Sequence, residues 1–159
     1  MKWMIASDIH GSAYYCRELL EAYDIEKADR LLLLGDILYH GPRNDLPKAY
    51  NPKEVITLLN QRKQDILCVR GNCDTEVDQM VLEFPVLADY CVIADEKNII
   101  YATHGHHFNE AICHLFRKET FAEWAYPCTK MRRASGLYLY ESRICFYSKR
   151  GKLAWIYDI

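Results

Sequence analysis

Ser7-Asp8-Ile9-His10-Gly11 stands directly after the apolar run Trp3-Met4-Ile5-Ala6. A short apolar run reads as a buried strand. A carboxylate and an imidazole two residues apart at its end read as the start of a divalent-metal site, because side chains at strand ends of open α/β sheets meet ligands. Alone the pair is weak, since a turn acid and a surface His give the same letters. It sets the question of whether later strands supply the rest.

Moving outward, Leu31-Leu32-Leu33-Leu34 closes in Gly35-Asp36, and Ile66-Leu67-Cys68-Val69 closes in Gly71-Asn72-Cys73-Asp74. Tyr90 to Ala94 and Ile99 to Thr103 read as two further strands joined by Asp95-Glu96-Lys97-Asn98, the second running into His104-Gly105-His106-His107. Between the first three runs the spacing predicts a helix from about Ala13 to Tyr23. A second opens at Asn51, with Asn as cap, Pro52 in the first helical position and Glu54 in the third; a short third helix reaches Met80 to Leu82. Ile37 to Asn51 has no clean period, and a loop of that length inside a domain is usually functional. Strand alternating with helix predicts a parallel α/β sheet with an antiparallel portion added later. Asp8, His10, Asp36, Asn72 and His104 are then expected to converge on one crevice at the strand ends of one sheet. This mixed oxygen and nitrogen set suits manganese, iron or zinc. Two ions about 3.5 to 4 Å apart need a shared carboxylate, and Asp36 is the natural bridge.

Composition fits one domain over residues 1–159 with an ample core: 159 residues, 50% apolar and 26% charged. The net charge of -2 gives no general drive toward nucleic acid or anionic membrane, so phosphate binding would be local. No run approaches the ~20 apolar residues of a membrane span and no signal-peptide core follows Met1, so the expected compartment is the cytoplasm. The seven cysteines, Cys16, Cys68, Cys73, Cys91, Cys113, Cys128 and Cys145, contain no C-x-x-C pair. They read as reduced, packed thiols, with Cys73 the exception.

These residues resemble the calcineurin-like metallophosphoesterases, and among them the small bacterial and archaeal phosphodiesterases of the YfcE type. The stretches that carry the resemblance are 7–11, 35–44 (Gly-Asp-Ile-Leu-Tyr-His-Gly-Pro-Arg-Asn), 69–74 (Val-Arg-Gly-Asn-Cys-Asp) and 103–106 (Thr-His-Gly-His). They cover the chain to about Asn109 in family order and spacing. The resemblance implies a four-layer αββα sandwich and two divalent ions, manganese first and zinc, iron or nickel as alternatives. It also implies hydrolysis of small phosphodiesters by a metal-bridging hydroxide. Asp8 and His10 would hold the first ion, Asp36 would bridge, and Asn72 and His104 would hold the second, so that Asp36, Asn72, Cys73 and His104 form the catalytic set. Cys73 stands where many family members carry a proton-donating His, which favours leaving groups of low pKa. His40, Arg43 and Asp74 would be substrate-side, Arg43 with a bidentate grip on phosphate. A homo-oligomer is compatible with this reading.

The family's last two motifs, Gly-His-x-His and a later Asn-Pro-Gly-Ser turn, are absent from residues 110–159, where the C-terminal strands are expected to be missing or disrupted. Weak strand-like stretches remain at Leu137 to Tyr140 and Ile144 to Tyr147, beside a basic cluster of Lys130, Arg132 and Arg133 for which nucleic-acid binding is not expected. Suitable synonymous codons for Glu123 to Lys130, read one base later, give Asn-Gly-His-Thr-His-Val-Pro. The same displacement over Tyr140 to Lys149 gives Met-Asn-Pro-Gly-Ser-Val-Ser-Ile-Pro. The expectation is a displaced reading frame beginning near residues 109–113; third bases in the coding DNA that forbid the displaced reading would refute it. The competing function is a non-catalytic module of the same fold, as in a retromer subunit of this family.

Overall fold

The computed structural model describes residues 2–94, 99–107, 145–148 and 153–158. Strand β1 (Lys2–Ala6) lies parallel to β2 (Arg30–Leu33), with Trp3 opposite Arg30 and Ala6 opposite Leu33, and β2 lies parallel to β3 (Ile66–Cys68). Helix α1 (Ala13–Glu26) links the first two strands, and α2 (Pro52–Asn60) precedes the third. Ser12 caps α1 by accepting from the Tyr15 N–H at 3.2 Å, and Asn51 caps α2 by accepting from the Glu54 N–H at 3.3 Å. Helix α1 ends past the expected Tyr23 because Lys27 adopts the left-handed cap conformation, φ 50°, without a glycine to announce it.

The strands are apolar on both faces, and their alternation assigns each residue to a side. Met4, Ala6, Leu31 and Leu33 pack with Cys16, Leu19, Leu20, Tyr23, Val55 and Leu59 from the helices. Trp3, Ile5, Leu32, Leu34 and Val69 face the other way, toward Ala102 and the half-buried Cys91 and Ile93. These last belong to a separate two-stranded sheet, β4 (Cys91–Ala94) antiparallel to β5 (Ile99–Ala102). Helices, sheet and second sheet are thus three successive layers among the described residues. The short helix α3 (Glu76–Val81) follows β3 and is closed by a reciprocal capping box between Thr75 and Asp78.

In the C-terminal region, where strands are expected to be missing or disrupted, two strands are described. β6 (Cys145–Ser148) overlaps the strand-like Ile144 to Tyr147 stretch and pairs antiparallel with β7 (Leu153–Asp158). β7 pairs antiparallel with β1, Lys2 opposite Asp158 and Ala6 opposite Ala154, giving the sheet order β3-β2-β1-β7-β6. The physical reason is compositional: Leu153-Ala154-Trp155-Ile156-Tyr157 has the aliphatic and aromatic content that suits a strand, whatever motif it lacks. Leu137 to Tyr140 and the basic cluster lie outside the described residues. Cys16, Cys68, Cys73 and Cys91 are free thiols. Cys113, Cys128 and the Cys145 side chain lie outside the described residues.

Leu33 is wholly buried on β2, between β1 and β3. Leu33→Ala is expected to destabilise the fold by about 2–5 kcal/mol, transfer and cavity costs together. Urea unfolding followed by circular dichroism reads this directly, and an unshifted midpoint would remove Leu33 from the core.

Candidate metal centre

Beyond β1 and β2 the chain continues the ladder irregularly. The Asp8 N–H donates to the Gly35 carbonyl at 3.1 Å, His10 N–H to Asp36 O at 2.8 Å and Gly11 N–H to Ile37 O at 2.8 Å. Asp8, His10 and Asp36 all have left-handed backbones, φ 59°, 50° and 57°. Such conformations cost about 1–3 kcal/mol each and persist where the surroundings over-determine them, characteristically at functional sites. The loops after β2 and β3 touch backbone to backbone: a Cβ on Gly35 would stand 2.2 Å from the Gly71 nitrogen. Only glycine permits that approach.

Asp36, 3% exposed, is the hub. Its Oδ1 accepts from the Cys73 N–H at 2.8 Å, while its Oδ2 faces His10 Nε2 at 3.6 Å and His104 Nε2 at 3.7 Å. His10 Nε2 also lies 3.3 Å from Asp8 Oδ1, and His104 Nε2 lies 3.1 Å from Asn72 Oδ1. Both imidazoles are oriented from behind: Nδ1 of His10 meets the Tyr39 carbonyl at 2.7 Å, and Nδ1 of His104 meets the Leu34 carbonyl at 2.6 Å. A carbonyl only accepts, so each ring carries its proton on Nδ1 and, when neutral, turns the Nε2 lone pair toward carboxylate or amide oxygen. That convergence of electron-rich atoms calls for positive charge between them, a proton or a cation, and backbone-anchored imidazoles are the usual support for a metal ligand.

The donor set therefore fits a metal pair. Ligand atoms of Asp8, Asp36 and His104 lie within 4.8 Å of one another, as do those of His10, Asp36 and Cys73, and Asp36 belongs to both groups. Asn72 is exposed beside the first group. One expectation changes. His104 does not come from the sheet that carries the other ligands: it follows β5 of the second sheet, which packs across the Trp3–Leu32–Val69 face and delivers the imidazole from the far side.

The protonation equilibria follow from this crowding. Burial would raise the Asp8 carboxyl, but hydrogen bonds from His10 and Ser7 and the charge of His104 outweigh it and hold it below the usual range. For His10, burial disfavours the cation, yet the Asp8 bond, the Tyr39 carbonyl and the Asp36 charge raise it overall. The Cys73 thiol is pushed up to about 12 by burial and then by Asp36, so it is a very weak acid.

Of the expected substrate-side residues, Arg43 is exposed in the turn after Gly41. Among the described residues Arg43 pairs with no carboxylate. A Cβ on Gly41 would lie 3.2 Å from Cys73 Sγ, so that turn borders the centre. His40 is half-buried, its ring edge-on to Tyr39 and Tyr50, with Nδ1 buried and unpartnered. Asp74 does not fit the role given it. It is 2% exposed, and its two carboxylate oxygens are taken up by three backbone N–H groups.

His106, part of the Thr-His-Gly-His stretch but given no role there, stands beside these. The His106 ring lies 5.2 Å from that of His104, its Nδ1 is buried without a partner, and burial followed by the neighbouring His107 and His104 lowers its pKa to about 4. The two-residue spacing of His104 and His106, the same as that of Asp8 and His10, was the available signal.

Comparison with known proteins adds the following. The calcineurin-like phosphoesterase profile matches residues 1–128. Phosphodiesterase YfcE of Escherichia coli strain K12 is 48% identical over 108 residues, covering 68% of this chain and 59% of that protein; the O157:H7 protein matches equally. The solved structure of E. coli YfcE, described as a phosphoesterase, has 47% identity and a TM-score of 0.69, over 70% of this chain and 61% of that one. The match thus spans about three fifths of these relatives' length.

Proposed function

The chain belongs to the calcineurin-like phosphoesterases, and on that premise we propose that it hydrolyses small phosphodiesters with two divalent ions held by Asp8, His10, Asp36, Asn72 and His104. Manganese is the first candidate, with zinc, iron or nickel as alternatives. The observation that carries the reading is the membership of Asp36 in both ligand groups. When bound, such a pair supplies an activated water and neutralises charge on the phosphoryl oxygens.

The chain's own residues do the rest. The Tyr39 and Leu34 carbonyls fix the tautomers of His10 and His104 so that both Nε2 atoms face Asp36. The Cys73 N–H orients the other oxygen of Asp36. Arg43, cationic and without a carboxylate partner among the described residues, is available to grip a non-reacting phosphate oxygen. Cys73 stands where many family members carry a proton-donating His, and a thiol is a poorer proton donor to a departing oxygen than an imidazolium, which favours leaving groups of low pKa.

Protein stripped with EDTA and resupplied with Mn2+ is expected to hydrolyse bis(p-nitrophenyl) phosphate, and an alkyl diester at least about 10²-fold more slowly. No metal-dependent release of nitrophenol would reject the enzyme reading. In that case the second reading holds, a module that keeps the scaffold without turnover; it is favoured by residues 110–159, where His114 is the only histidine.

The proposed compartment is the cytoplasm, a reading that rests on the sequence, whose seven cysteines include no C-x-x-C pair. Among the described residues no helix is long and apolar enough to cross a membrane.

A further inference from the structure

We infer that Asp74 is a positioning residue for the metal centre: its carboxylate locks the backbone of Asp36 so that the shared ligand points between the two histidines. This rests on the two-metal reading above. Oδ2 of Asp74 accepts from the Asp36 N–H at 2.8 Å and from the Gly71 N–H at 2.7 Å, and Oδ1 accepts from the Ile37 N–H at 2.9 Å. The N–H groups of Asp36 and Ile37 are successive, and with Gly35 at φ +92° and Asp36 at φ 57° they form a concave donor pair of the kind that binds anions. Asp74 fills it from within the chain.

The arrangement is reciprocal. Asp74, on the loop after β3, takes the N–H of Asp36 and Ile37 on the loop after β2; Asp36 in turn takes the N–H of Cys73 from the loop after β3. Two carboxylates thus latch the two loops that carry Asp36 and Asn72. No cation compensates the buried Asp74 charge: among the described residues it joins no salt bridge, and the Arg70 guanidinium donates to its backbone carbonyl instead. Three donors on two acceptor oxygens is also something no neutral side chain reproduces. An amide offers one oxygen and sets its own N–H₂ against the third donor.

The test compares wild type with Asp74→Asn, reading Mn2+ affinity by calorimetry, Mn2+ coupling by electron paramagnetic resonance, and thermal unfolding without metal. Asn keeps the oxygen that serves Asp36 and Gly71, so the variant is expected to fold. It should bind Mn2+ about 10–100-fold more weakly, the usual effect of losing a group that orients a ligand. The spin-coupled spectrum of a carboxylate-bridged pair should give way to that of isolated ions. Asp74→Ser, smaller and with a single acceptor oxygen, serves the same purpose if the Asn variant fails to fold. A variant with wild-type Mn2+ affinity and coupling, even with a lowered melting temperature, would overturn the inference and leave the two-metal reading standing. A wild-type protein that binds no Mn2+ would overturn both.

Discussion

Asp36→Asn is expected to lower bis(p-nitrophenyl) phosphate hydrolysis by about 10³-fold or more, a loss of about 4 kcal/mol of transition-state stabilisation. The substitution is close to isosteric. Its remaining oxygen can keep the Cys73 N–H, which holds the loop in shape, and the amide nitrogen then falls where Oδ2 faced His10 and His104. A donor in that position cannot coordinate a cation, and one unit of negative charge leaves a site proposed to hold two dications. Thermal stability in the absence of metal should stay close to wild type, since the hydrogen-bonded framework around Asp74 is untouched. Steady-state kinetics with a parallel Mn2+ titration check this. A variant within tenfold of wild-type activity at saturating metal would mean that Asp36 is not the bridge.

Gly71→Ala should damage the same centre by another route, and the two can be told apart. The added Cβ would stand 2.1 Å from Asp36 Oδ1, 2.4 Å from Asp36 N and 2.8 Å from Asp36 Cγ. No rotamer relieves contacts with a backbone nitrogen, so the two loops must separate. Separation breaks the Asp74 bonds to Asp36, Ile37 and Gly71 together. Stability should fall by about 3 kcal/mol, the upper range for forced overpacking, and Mn2+ binding should be lost with it. Calorimetric metal titration alongside thermal unfolding reads both. Loss of metal binding with unchanged stability would show that the loops can part without cost, against the contacts described here.

The contrast between what sequence conveys and what it hides is visible in particular residues. β1, β2 and β3 were legible because each is a short apolar run stopped by polar residues, and a parallel sheet makes their ends coincide. That reasoning reached Asp8, His10, Asp36 and Asn72. It misplaced the origin of His104, because strand period does not reveal which sheet a strand joins; membership is fixed by burial of Trp3, Ile5 and Val69 against the second sheet, a relation between distant residues. Asp74 was misread for a similar reason. An Asp next to a ligand motif looks like a substrate contact, and only tertiary structure reveals three backbone donors already occupying it. β7 escaped notice because its neighbourhood lacked motifs, although its residue content alone suits a strand.

The arrival of His104 from the second sheet also orders the protein's biosynthesis. A chain emerging N-terminus first presents Asp8 and His10 early, and Asp36 and Asn72 soon after, while the last imidazole arrives only when the second sheet closes over the first. Until that closure the proposed ligand set is incomplete, because its last imidazole follows a strand of the other sheet.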